Sequence, residues 1–407
     1  MLSNRFKKKI VTALPRRYSD KIKFKYPIER SGEYKQYLSY QDLNTFLKKC
    51  HSLHRKMDYD TGVTSTTILK YAHCFFYEGE CSWRLTSKEL SSVPYKSCVE
   101  LMNILFHVGS FTKALQIRNH VLKRYIEDAN TEEQRYVRKY MESGEWKAAY
   151  NALKCFREGL DSKIGIFLRN IIDDKIEDND FAREASGKKI ALVGPCKAAV
   201  INDREIDSHD WIVRMNFRGS KSVSSKPGKG SRTDVAYYNG LQSALIAEMS
   251  SRNFFDETSW AVFKSEDYCK TIKPSCKSRI MVRADYPLWN CNPNMIPAVA
   301  YDLLFFRPAI VKIYHADFYL GNYDASYMHS SHKHLAETSH IREACFVHDP
   351  FAQLNFVRGL RSLEKLDCDE RCGEVLDMTD EQYAVELESA LRNNPPAGSG
   401  PGSVCEK

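Results

Sequence analysis

Between residues 188 and 314 the chain repeats one pattern, a short apolar run closed by glycine or a polar cluster. Lys188-Lys-Ile-Ala-Leu-Val-Gly194 is the first such run. Trp211–Met215, Asp234–Tyr238, Trp260–Phe263, Ile280–Val282 and Ile310–Tyr314 follow, with helical stretches between several of them. Short apolar runs alternating with helices predict strands of a parallel sheet covered on both faces. The pattern therefore predicts an α/β, Rossmann-like domain over residues 188–367.

Residues 38–175 carry the other period, with long 3.6-residue stretches and few strand signals, and predict an all-helical domain. Two segments there are alike: Gly109-Ser-Phe-Thr-Lys-Ala114 and Gly144-Glu-Trp-Lys-Ala-Ala149, 35 residues apart. That spacing is close to the helix-turn-helix unit of tetratricopeptide arrays, although two units do not make a solenoid. Residues 176–187 are acidic and polar and read as a linker. Residues 394–407, rich in Pro, Gly and Ser, read as a disordered tail. The longest apolar candidate for a membrane span, Ile296–Phe306, is too short and carries Asp302, so no transmembrane helix is expected. No small-residue cleavage site follows a short apolar stretch, so no signal peptide is expected either.

Charge changes this picture at one end. Of the formal net charge of +8, residues 1–30 supply all: ten Lys or Arg against Asp20 and Glu29. The remaining 377 residues balance, so the folded part is neutral, unlike a groove-filling nucleic-acid binder. Leu2, Phe6, Ile10 and Leu14 fall on one helical face of this basic arm before Pro15. The arm reads either as an amphipathic helix on an anionic membrane surface or as a solvated basic tail; a nucleic-acid arm is a third reading.

The 13 cysteines lack paired spacing; Cys368 and Cys372 are nearest, with no second pair to complete a zinc site. No Asn-x-Ser/Thr sequon occurs. Both features favour a reducing, cytoplasmic compartment.

The candidate chemistry begins after the first strand. Gly194-Pro-Cys-Lys lacks the glycine spacing of a dinucleotide site, and no P-loop sequence occurs anywhere. Glu205-Ile-Asp-Ser-His-Asp-Trp-Ile-Val-Arg-Met-Asn216 follows, then Gly228-Lys-Gly-Ser-Arg-Thr-Asp234 and Tyr237-Tyr-Asn239. A strand ending in Asn presents an amide that both donates and accepts. Asn216 and Asn239 could therefore read a pyrimidine edge or a ribose at the carboxyl end of the sheet, or could simply cap turns. His329, His332 and His334 have the spacing of metal ligands, but no carboxylate or cysteine completes the set, and surface histidines are the alternative. His348 is a candidate general base, titrating near neutrality.

The stretch Ile190–Asn239 resembles the large sialyl motif of the animal-type sialyltransferases, glycosyltransferase family 29, in its order of E-I-D-S-H-D, R-M-N and G-S-R-T. Asn294–Gly321 occupies the place of the small sialyl motif, and His348-Asp-Pro-Phe-Ala-Gln353 that of the very small one, with Gln for Glu. Asp317-Phe-Tyr319 is closer to the bacterial sialyltransferases of glycosyltransferase family 42. The resemblance implies a metal-independent, GT-A-like sialyltransferase domain without a cofactor. The donor would be a CMP-activated sugar and the acceptor a glycan or glycolipid. On that basis Gly194, Cys196, Asn216, Asn239 and Asn294 would hold the CMP-sugar, and His348 would be the base. Tyr319 and His332 would meet the departing phosphate. Transfer of Kdo from CMP-Kdo, or an inactive scaffold, are the competing readings.

Overall fold

The structure is a computed structural model that describes residues 90–91, 98–99, 102–103, 105–106, 109–127, 180–197, 202–220, 228–281, 293–321, 345, 348–362 and 364–393. The basic arm, the second glycine segment at 144–149, His329, His332, His334 and the tail 394–407 lie outside the described residues. The chain divides into two compact units, of which the first holds the described residues up to 124 together with Cys345.

In the first unit the described residues are helical around a single turn. Gly109, at φ +79°, sends its N–H to Phe106 O (3.1 Å), and Ser110 N–H reaches Leu105 O (2.9 Å). These two bonds close a helix end in the way a left-handed glycine permits. Helix α1, Phe111–Glu127, then starts and buries Phe111, Ala114, Leu115, Val121 and Leu122. The first of the two glycine segments is thus a helix-turn-helix joint.

The second unit is built on seven parallel strands: β1 Lys189–Val193, β2 Trp211–Met215, β3 Val235–Tyr238, β4 Trp260–Phe263, β5 Lys277–Ile280, β6 Ile310–Tyr314 and β7 Leu366–Cys368. Their order is β5-β4-β3-β2-β1-β6-β7, a Rossmann-like α/β arrangement. β1 to β4 are buried nearly throughout, which is why they read as continuous apolar runs. β5 lies three residues earlier than the run Ile280–Val282, because an edge strand is exposed and carries a polar pattern (Lys-Ser-Arg-Ile).

The crossover helices are α3 Asp203–Asp207, α4 Gly240–Glu248, α5 Glu266–Ile272, α6 Met295–Phe305 and α7 Pro350–Arg361, numbered after α2 Asp180–Ala185. α2 sits within the stretch read as a linker. It is helical because Phe181 is driven under the sheet, with its ring 5.3 Å from Trp211, 5.0 Å from Trp260 and 4.9 Å from Phe306. The unit also continues past residue 367, through β7, α8 (Glu370–Asp377) and α9 (Asp380–Asn393), whose Tyr383, Ala384 and Leu387 are fully buried.

The chain lays down β1 to β5 in one direction and returns to place β6 beside β1. This reversal is the switch point at which open α/β sheets leave a crevice at the carboxyl ends of the strands. A helix joining parallel strands runs back across the sheet, so α4, α6 and α7 begin at that same edge.

Candidate functional site

The switch point is a tight backbone joint. Gly194 N–H donates to Tyr314 O (2.7 Å) and Cys196 N–H to His315 O (3.1 Å), extending the β1–β6 pairing past both strands. A Cβ at Gly194 would fall inside the His315 carbonyl. The glycine is therefore required by strand approach. Beside it the Cys196 thiol donates to Asp317 Oδ1 (3.0 Å), both groups buried. Burial, then the carboxylate, pushes the thiol pKa well up, and burial raises that of Asp317.

The Gly228–Asp234 segment is held by the acidic helix α3 and by β2. Asp203 accepts from Gly228 N–H (2.8 and 2.9 Å) and Gly230 N–H (2.7 Å), and these bonds lower its pKa. Asp207 accepts from the N–H and hydroxyl of Ser231 (3.0 Å each at best). Arg214 donates to Thr233 Oγ1 (3.1 Å) and to the carbonyls of Lys229, Gly230 and Arg232. Burial pushes the Arg214 pKa down to about 10, against the carboxylates of Asp207, Asp203 and Asp234, so the guanidinium stays charged at neutral pH. Gly230 has φ +70°, and a Cβ there would lie 2.7 Å from Asp207 Oδ1. Asp207 and Arg214 of the E-I-D-S-H-D and R-M-N segments thus shape a loop; Glu205 instead pairs with Lys312 of β6 (2.6 Å), and Asp210 accepts from Lys189 N–H (2.8 Å).

One residue the sequence reasoning missed sits at the centre. His315 follows β6 at φ +54° and is 5% exposed. Its Nε2 lies 2.7 Å from Gly228 O, an acceptor only, so Nε2 carries the proton. Its backbone N–H donates to Asp369 Oδ2 (2.7 Å), and Nδ1 lies 3.8 Å from the same oxygen. Burial, which outweighs the Gly228 bond and the charge of Asp369, lowers its pKa. The available signal was a polar residue directly closing an apolar strand.

The predicted amides gather at this edge. Asn216 ends β2 at φ +55°, and its Oδ1 accepts from Asn239 N–H (3.3 Å) at the end of β3. Asn239 also caps α4 through Gln242 N–H (2.8 Å), so the capping alternative is realised for it. Next to it Gln242 is 6% exposed and its Oε1 has no hydrogen-bond partner. Asn294 holds the N-cap position of α6 but makes no side-chain cap bond; its N–H donates to Gln353 Oε1 (2.7 Å) of α7. His348 stands half-buried immediately before Asp349, whose carboxylate caps α7 through Phe351 and Ala352. Tyr319 is 4% exposed at φ +77°, in a turn tied down by the hydroxyl of Tyr383 on the Phe318 carbonyl.

Among the described residues no cluster of three or more His, Cys, Asp or Glu could hold a metal ion, and no helix is long and apolar enough to cross a membrane. No known family, curated protein or solved structure matches this chain.

Proposed function

We propose that this edge binds a CMP-activated keto-sugar acid and that the protein is a sialyltransferase-like, inverting glycosyltransferase with a GT-A-like catalytic domain. The observation that carries the reading is the pairing of Asn216 with Asn239 at the ends of adjacent strands, beside the loop anchored by His315. Amides at the mouths of β2 and β3, with the uncommitted side chain of Asn294 at the start of α6, suit a pyrimidine and ribose.

In this mechanism the acceptor hydroxyl attacks the anomeric carbon as its proton passes to His348. The bond to the CMP phosphate oxygen breaks on the opposite face, so one displacement inverts the centre. His315 is spent on Gly228 and its pKa is lowered, and the base role falls to His348, as the resemblance to the very small sialyl motif implies. Tyr319 and His332 would donate to the phosphate as charge appears there. No metal or cofactor takes part. Residues 1–30 would hold the enzyme at an anionic membrane face near a glycan or glycolipid acceptor.

The test is nucleotide release from CMP-sialic acid, CMP-Kdo, UDP-glucose and GDP-mannose, each with EDTA present, for the wild type and His348→Ala. CMP release from one keto-acid donor, lost in the variant, supports the proposal and chooses the donor. Release only from UDP- or GDP-sugars, or no CMP binding by calorimetry, overturns it.

A further inference from the structure

The structure sets two cysteines on one turn, either side of Asp369. Cys368 is the last residue of β7, and Cys372 is the third residue of α8. Asp369 between them is the N-cap, accepting from Cys372 N–H over 2.9 Å. The strand end turns straight into the helix, so Cys368 stands over the first turn of α8. Its Sγ lies 3.6 Å from where a Cβ on Gly373, the residue after Cys372, would be, so the sulfur rests on the helix turn that carries Cys372. Glycine at 373 leaves room for this sulfur. The two cysteines thus share one strand-to-helix turn, four residues apart.

Access and charge divide their roles. Cys372 is fully buried, whereas Cys368 is partly exposed. The groups facing the pair are Arg361 from α7, and Asp367 and Asp369 from the same strand end. The nearby Cys372 thiol, against burial and with the help of Arg361, holds the Cys368 pKa down; that of Cys372 is pushed well up. A thiolate at a helix N-terminus beside an arginine is the reactive form of cysteine.

We propose that Cys368 and Cys372 form a dithiol–disulfide site that reacts with low-molecular-weight disulfides. The Cys368 thiolate attacks one sulfur of the external disulfide, forms a mixed disulfide and expels a thiolate, which takes up a proton. Cys372 then loses its proton and attacks the Cys368 sulfur, closing the internal disulfide and expelling the second thiol. Two electrons and two protons leave the protein, and the external disulfide becomes two thiols. The closed bridge encircles Asp369, the residue that holds the His315 backbone. The site stands independently of the transfer activity proposed above.

The full chain, reduced and then held in glutathione buffers of rising oxidised fraction, would be mapped by peptide mass spectrometry. The expected result is a Cys368–Cys372 disulfide that forms at a lower oxidised fraction than any modification of Cys269 or Cys276, both also partly exposed. Cys372→Ser should instead trap the glutathione adduct on Cys368, and Cys368→Ser should leave Cys372 unmodified. On the unaltered protein, Cys368 should be alkylated at least tenfold faster than Cys269. Alkylation at the Cys269 rate, or a bridge from Cys368 to any other cysteine, overturns the proposal.

Discussion

His315 donates its Nε2 hydrogen to the carbonyl of Gly228, 2.7 Å away and 87 residues earlier in the chain. Through this bond the end of β6 holds the glycine loop that follows β2, while the His315 backbone is held by Asp369 after β7. Three separate segments at the carboxyl edge therefore meet at one residue, His315.

The imidazole makes stability depend on pH. Burial lowers the His315 pKa, so in mildly acid solution the unfolded chain binds a proton that the folded chain does not. Stability then rises with pH across that window: the contribution is complete above about 6.5, the ordinary histidine value, and is lost as pH falls toward the folded value. His315→Gln can still donate to Gly228 but cannot titrate. The wild-type urea midpoint should fall between about pH 7.5 and about pH 5.5 more than the variant's does. Asp317, whose raised pKa acts in the opposite sense, is common to both proteins and cancels in the comparison. Equal falls would remove His315 as the titrating group.

Gly194→Ala should be among the more damaging single-methyl changes in the sheet. The added carbon meets backbone, the carbonyls of His315 and Tyr314, which cannot rotate aside as a side chain would. Overpacking of this kind costs about 1–3 kcal/mol. Thermal unfolding of the purified variant checks it. A melting temperature within a degree or so of the wild type would mean that β1 and β6 separate easily at their ends.

The strands of the sheet could be read from the chain because burial on both faces makes β1 to β4 apolar save Lys189 and Arg214, and β6 apolar save Lys312. The same logic hides what is not buried so evenly. β7 is only three residues, Leu-Asp-Cys, with one buried side chain. α2 is acidic on its surface and enters the core through Phe181, Ala182 and Ala185 alone. In the site, Asn216 and Asn239 were visible as polar ends of apolar strands. Asp207 and Arg214 drew notice as parts of a motif and Asp203 did not, yet the work of all three is to bond the backbone of a loop, which spacing along the chain does not reveal.

Asp302 illustrates the same limit and carries a prediction. It is the one charge in the apolar run Ile296–Phe306, and it is fully buried on α6. Its partners lie elsewhere in the chain: Arg279 of β5 pairs with it (3.1 Å at Oδ1), and Tyr237 of β3 donates to Oδ2 (2.5 Å). The Arg279 guanidinium also lies 3.7 Å from the Phe181 ring centroid. Burial opposes the charge on Arg279, but Asp302 and Tyr237 outweigh it and raise its pKa. Asp302→Ala leaves a buried cation unpaired and should cost about 3–5 kcal/mol. The double variant Asp302→Leu with Arg279→Met should recover most of that loss in denaturant titration. If the single change costs under about 1 kcal/mol, water reaches the pair.

Asn239 and Asn294 separate structural from binding amides at the same edge. Both hold the N-cap position of a helix, α4 and α6 respectively, and both are candidates to touch the nucleotide. Asn239 accepts from Gln242 N–H, so Asn239→Ala should cost about 1 kcal/mol of stability whatever it binds. Asn294 makes no side-chain cap bond, and its backbone N–H is satisfied by Gln353. Asn294→Ala should therefore change stability by no more than about 0.5 kcal/mol. If the amide reads the nucleotide, the same change should weaken CMP binding about tenfold, the equivalent of about 1.4 kcal/mol. Calorimetric titration of CMP alongside thermal melts distinguishes the cases. Unchanged CMP affinity with unchanged stability would move the nucleotide away from α6 and leave Asn216 and Asn239 as its only amide contacts.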